Sequence, residues 1–104
     1  MKGYRYRVTV EPIEGPRGEQ IEHDPLIFEA VNHDEILGLV DRRRQGGEFD
    51  ENTAACMMVG LKLFSEVMLH NKENPLFSPL MPHLREFMKR LKSSRAESSQ
   101  DGNG

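Results

Sequence analysis

The sequence predicts an α+β fold: an N-terminal antiparallel β-hairpin followed by three helices, in the order β-β-α-α-α. Residues Tyr4 to Val10 alternate strictly between apolar and polar side chains. A glycine- and proline-rich stretch then separates them from a second β-rich run that ends at Val31. From Asn32 onward the apolar residues recur at helical spacing, with helix-start residues at Asn32, Asp50 and Ser78.

In the first strand Tyr4, Tyr6, Val8 and Val10 share one face, and Arg5, Arg7, Thr9 and Glu11 share the other. This pattern, with its aromatic and β-branched residues, describes a half-buried strand. Pro12 has no amide to donate, so the strand ends there or lies at an edge. Glu14-Gly15-Pro16-Arg17-Gly18 supplies the turn. The second strand runs from about Gln20 to Val31. Pro25 interrupts it, so its better-formed part is Leu26 to Val31, with a kink or bulge near His23-Asp24-Pro25.

Asn32 is a favoured N-cap residue, and Glu35 stands where it can reach back to the cap amide. Ile36, Leu37, Leu39 and Val40 form the expected buried stripe of this first helix. Arg42, Arg43 and Arg44 fall in its last turn, where cations suit the helix dipole, and Gly46-Gly47 stops it. Asp50 caps a second helix over about 51–71. Ala54, Met57, Met58, Leu61, Phe64, Val67 and Met68 make its broad apolar face, and Ala55, Val59 and Leu63 make a second. A helix apolar on this much of its circumference packs on more than one side and is the central helix. Gly60 in its middle costs about 1 kcal/mol relative to alanine, which predicts close approach of another element there. Asn74-Pro75 ends this helix. Ser78 as N-cap with Pro79 at the first helical position opens the third. Leu80, Leu84, Phe87, Met88 and Leu91 form its stripe. Beyond it the residues are almost all polar, so 93–104 is expected to be a disordered tail and 1–92 a single domain.

Hydrophobic residues make up 37% of the 104-residue chain and charged residues 30%, which leaves room for one modest core. The net charge is −3, unevenly spread: residues 1–52 carry −5 and residues 53–104 carry +2. Cys56 stands alone and cannot form an internal disulfide. No signal peptide is expected, because Met1 to Arg5 lead straight into the strand. The apolar run Ala54 to Leu69 is broken by Gly60, Lys62, Ser65 and Glu66, so no membrane span is expected either. A reducing, cytoplasmic setting is the simplest reading.

No catalytic, cofactor or metal site follows from these residues. His23-Asp24 and His33-Asp34 echo a pair used by metal phosphohydrolases, but that chemistry needs several more ligands on a helical scaffold. His70 and His83 lack ligand spacing with a carboxylate or thiol. Cys56, within Ala-Ala-Cys-Met-Met, reads as a buried structural cysteine rather than a nucleophile. The glycines at 15 and 18 lack the lysine and following helix of a phosphate loop. Arg5 and Arg7 on the outer strand face, with Arg42, Arg43 and Arg44, are the candidate nucleic-acid contacts. Against them stand Glu11, Glu14, Glu19 and Glu22 on the same hairpin, which repel phosphate.

A two-stranded hairpin is marginal alone and exposes ladder groups on both edges. Helices cover a face but not an edge. A homodimer that builds one larger sheet from two hairpins resolves this, so self-association is the expected behaviour. The leading functional expectation is therefore a non-enzymatic protein-interaction module that pairs first with itself. The alternatives are a nucleic-acid-binding regulator using the basic strand face, and an enzyme with an unrecognised small-molecule pocket between sheet and helices.

Several stretches together resemble a known family: Tyr4 to Glu11, Phe28 to Ile36, Gly60 to Leu69, Asn74-Pro75-Leu76-Phe77 and Phe87 to Lys92. They are similar to a domain-of-unknown-function family of small bacterial proteins, over roughly residues 1–92. The resemblance implies a bacterial cytoplasmic protein with no assigned activity. It carries over no catalytic motif and no site residue.

Overall fold

In the computed structural model the alternation at the N-terminus becomes β1, Tyr4–Val10, and the second β-rich run becomes β2, Leu26–Asn32. The structure describes residues 2–103, with side chains through Ser94. The strands pair antiparallel, with Tyr4 opposite Asn32, Tyr6 opposite Ala30, Val8 opposite Phe28 and Val10 opposite Leu26. Arg5, Arg7 and Thr9 stand opposite Val31, Glu29 and Ile27 on the other face. The residues from Gln20 to Pro25, expected to begin the second strand, are not in it. Pro25 cannot donate to a ladder, and β2 starts one residue after it. In the long connection the Gly18 amide donates to the Gly15 carbonyl at 3.0 Å, and Gly18 takes the left-handed φ of +78°. Glycine adopts that conformation without steric cost.

The chain divides into two units, Met1–Asp34 with the hairpin and Glu35–Gly104 with the helices. The first helix of the second unit, α1, is Ile36–Gln45. Its cap corrects the expectation for Asn32. Asn32 ends β2, and its side-chain oxygen accepts the Asp34 amide at 2.9 Å in a local turn. Glu35 caps instead, its carboxylate accepting from the amides of Leu37 and Gly38 at 3.0 Å each. The capping role has moved three residues on because the turn already uses the asparagine. Ile36, Val40 and Arg43 form the buried stripe, while Leu37 is 64% exposed and lies outside it, contrary to expectation. Gly47, with φ of +73°, reverses the chain after the helix.

Asp50 caps α2, Glu51–Leu69, as the sequence predicts, its carboxylate accepting the Thr53 amide at 2.7 Å. Ala54, Met58 and Met68 of α2 join Ile36 and Val40 of α1 as the buried apolar residues. The Gly60 expectation is corrected. A side chain built there would meet nothing within 4 Å among the described residues, so none of the described elements approaches closely at that point.

A run of short turns follows: the Asn74 amide donates to Asn71, Phe77 to Asn74 and Leu80 to Phe77. Phe77 meets Phe64 of α2 edge-on, with ring centroids 6.1 Å apart. The last helix, α3, is Met81–Asn103. Ser78 therefore is not its cap. The Ser78 amide donates to the Asn74 carbonyl at 3.0 Å, which places Ser78-Pro79 inside the turns, three residues ahead of the helix. Met81, Leu84, Met88, Leu91 and Ser94 are the half-buried positions among the described side chains of α3, whereas Leu80 and Phe87 are 40% and 43% exposed. The tail expected to be unstructured, 93–104, has its side chains from residue 95 and all of Gly104 outside the described residues.

Candidate functional site

The hairpin presents exposed apolar side chains from both of its strands. Tyr4, Val10, Leu26 and Ile27 are 50 to 59% exposed and Phe28 is 39% exposed. Tyr6, Val8 and Ala30 are half-buried, and Asn32 at the end of β2 is buried. The Tyr6 hydroxyl donates to the Asp34 carbonyl at 3.3 Å, tying β1 to the turn that follows β2. The apolar face is thus anchored at one end and open toward Val10 and Leu26.

On the opposite face Arg5 donates to Glu29 across the strands at 2.8 Å, and both side chains are mostly exposed. This is the diagonal neighbour in the antiparallel register, since Arg5 itself stands opposite Val31. The Glu29 hydrogen bond, and then its charge, hold the Arg5 guanidinium above its ordinary range. Arg7 stands directly opposite Glu29.

The five arginines singled out from the sequence are not equivalent. Arg5 and Arg7 lie on the outer hairpin face and Arg42 and Arg44 are exposed on α1. Arg44 donates from Nε to the Glu51 carbonyl at 3.1 Å. Arg43 is only 5% exposed. Its guanidinium donates to Glu48 at 3.4 Å and to the Leu91 carbonyl of α3 at 3.2 Å, and its Nε has no partner among the described residues. It pins α3 to α1 rather than facing outward. The hairpin arginines and the α1 arginines belong to separate units.

Cys56 is exposed, which corrects its reading as a buried structural cysteine. The apolar neighbours Ala54 and Met58 turn inward, and the position between them turns out. Among the described residues no group of three or more His, Cys, Asp or Glu stands close enough to hold a metal ion. His33 lies 3.5 Å from Asp34, and His70 lies 3.0 Å from Glu66 one helical turn away. The connecting loop forms a shallow, open hollow lined by Gln20, Ile21, Glu22, His23 and Asp24, more polar than apolar. By length and composition α2 is apolar enough to cross a membrane. A core helix meets the same test, and Ala54, Met58 and Met68 are buried along this one.

Sequence reasoning missed three buried polar residues: Asn32, Arg43 and Glu66. For Arg43 a signal existed. Ile36, Val40 and Arg43 are spaced i, i+4, i+7, so the stripe that buries the first two also buries the third.

Fold and surface together define a small α+β protein built on one hairpin and three helices. The chain belongs to the DUF3861 family, a domain of unknown function with a solved structure, whose model matches residues 4–93. It is similar to the crystal structure of a protein of unknown function from Pectobacterium atrosepticum, with 32% sequence identity and a TM-score of 0.78. The match covers 88% of this chain and 99% of that one. No curated protein matches the chain.

Proposed function

We propose that the protein is a non-enzymatic interaction module that associates first with itself through the hairpin. One observation carries this reading: a sheet of only two strands leaves apolar side chains from both strands half or more exposed. A hairpin of this size is marginal in water, and a hydrophobic face spread over more strands is the usual route to stability. A two-fold partner supplies further strands with the same self-complementary surface. Arg43, turned inward, and Arg5, paired with Glu29, favour this reading over a nucleic-acid interface. A cytoplasmic setting suits an exposed, unpaired Cys56, since oxidising compartments seldom leave such a thiol free. Size-exclusion chromatography with light scattering tests the proposal on dilution from about a hundred to one micromolar. The expected mass at the upper end is twice the 11.9 kDa chain mass, falling on dilution. A mass of one chain throughout contradicts it.

A further inference from the structure

We infer that the self-association edge is β2, paired antiparallel with β2 of a second copy about a two-fold axis at Phe28. This inference rests on the self-association proposed above and adds the strand and the register.

The two edges of the hairpin differ in chemistry. β1 carries two cations, Arg5 and Arg7, on its outer face. Exposed charges on an edge strand are a common device against pairing with another chain. β2 reads Leu-Ile-Phe-Glu-Ala-Val-Asn, with one charge, and Arg5 of the same hairpin neutralises that charge at 2.8 Å. Leu26, Ile27 and Phe28 are 56%, 59% and 39% exposed. In the described sheet β2 pairs with β1 alone, so no described strand occupies its outer edge. An apolar strand with its charge compensated and one edge unpaired is a template for β-augmentation.

Symmetry then narrows the register. When a strand pairs antiparallel with its own copy, opposite side chains share a face, so one residue must oppose itself. On β2, an axis at Glu29 sets two carboxylates against each other. An axis at Ala30 sets Phe28 against Asn32, a side chain already buried within its own protomer. An axis at Phe28 opposes the two phenylalanines, places Leu26 against Ala30, and sets Ile27 against Glu29. That register avoids direct like-charge opposition and adds a cross-strand aromatic pair. On β1, axes at Tyr6 or Arg7 oppose arginine with arginine, and the axis at Val8 places Tyr4 opposite the donorless Pro12.

Cysteine substitution separates the edges, with Cys56→Ser in both variants to remove the native thiol. Across the inferred axis the Cα atoms at position 28 lie about 5 Å apart, within reach of a disulfide. Val8 pairs with Phe28, so its copies stand three strand spacings apart, about 14 Å, and cannot bond. Under copper-phenanthroline oxidation, Phe28→Cys is expected to run as a covalent dimer and Val8→Cys as a monomer. Cross-linking of Val8→Cys alone, or of neither variant while the native chain sediments as a dimer, overturns the edge and leaves self-association standing. A native chain that sediments as a monomer overturns both. Hydrogen exchange on the native chain checks the edge without substitution. Raising the concentration through the dimer midpoint is expected to slow exchange of the outward β2 amides more than those of β1, and the reverse order overturns the inference.

Discussion

Arg43 separates packing from charge, and two substitutions there have different expected outcomes. The side chain is 5% exposed, its ion-pair partner Glu48 is 54% exposed, and its second acceptor is the Leu91 carbonyl. Removing the arginine therefore strands no buried carboxylate, because Glu48 returns to water. Arg43→Met keeps most of the buried stem, discards a desolvated cation with an unpartnered Nε, and leaves one carbonyl with a lost donor. Replacing a buried ionic group by an apolar one of similar volume is often neutral or stabilising, so the net expected change is within about 1 kcal/mol of zero. Arg43→Ala removes the stem as well. It opens space between α1 and α3 and is expected to cost about 2–3 kcal/mol. For a chain of 104 residues, unfolding entropy near 2 cal/mol/K per residue converts this into a Tm lower by about 10–15 °C. The assay is urea and thermal unfolding by far-UV circular dichroism, at one fixed protein concentration because the proposed self-association would shift Tm. If Arg43→Met costs as much as Arg43→Ala, the charge itself holds the helices together and the packing account is refuted. If Arg43→Ala is neutral, the site does not anchor α3 at all.

Other substitutions probe the core and the caps. Met68→Ala, at a fully buried position of α2, is expected to cost about 2–4 kcal/mol, whereas Leu37→Ala, at a position 64% exposed, should change stability by less than about 0.5 kcal/mol in the same unfolding assay. Gly60→Ala is expected to stabilise by about 0.5–1 kcal/mol, since the added methyl meets open space in a helix interior. A loss of stability there would reveal a close contact at Gly60. The Thr53 amide holds the Asp50 carboxyl below its ordinary range, so folding favours the ionised form. Its contribution is complete above the unfolded carboxyl pKa near 3.9 and fades as pH falls through the lower folded value. Asp50→Ala should lower the neutral-pH Tm by a few degrees and show a smaller further loss than the native chain between about pH 5 and pH 2. An unchanged neutral-pH Tm excludes the cap.

Much of the architecture was legible because the sequence repeats its signals. Strict alternation from Tyr4 to Val10 admits a strand and little else, and Pro25 marks where β2 can begin. Asp50 could be read as a cap because no competing turn uses its side chain. Asn32 could not, since asparagine serves turns and caps equally, and the choice depended on the Asp34 amide donating to its side-chain oxygen. Ser78-Pro79 misled for a related reason. The signature of a helix start also fits a run of turns, and Asn74 had already begun one. Residue type hid Arg43 and Glu66, whose helical positions bury them although their charge suggests otherwise. The proposed interaction surface was inferred from the hairpin's unpaired strands, and the structure adds which of their side chains share a face and which lie exposed.

Sedimentation equilibrium on the native chain and on Phe28→Glu decides whether the chain pairs with itself through β2. A native dimer at tens of micromolar and a folded monomer for Phe28→Glu are expected, since position 28 is exposed enough to take a charge without disturbing the core. A native monomer at that concentration, or a dimer that Phe28→Glu leaves intact, contradicts that pairing.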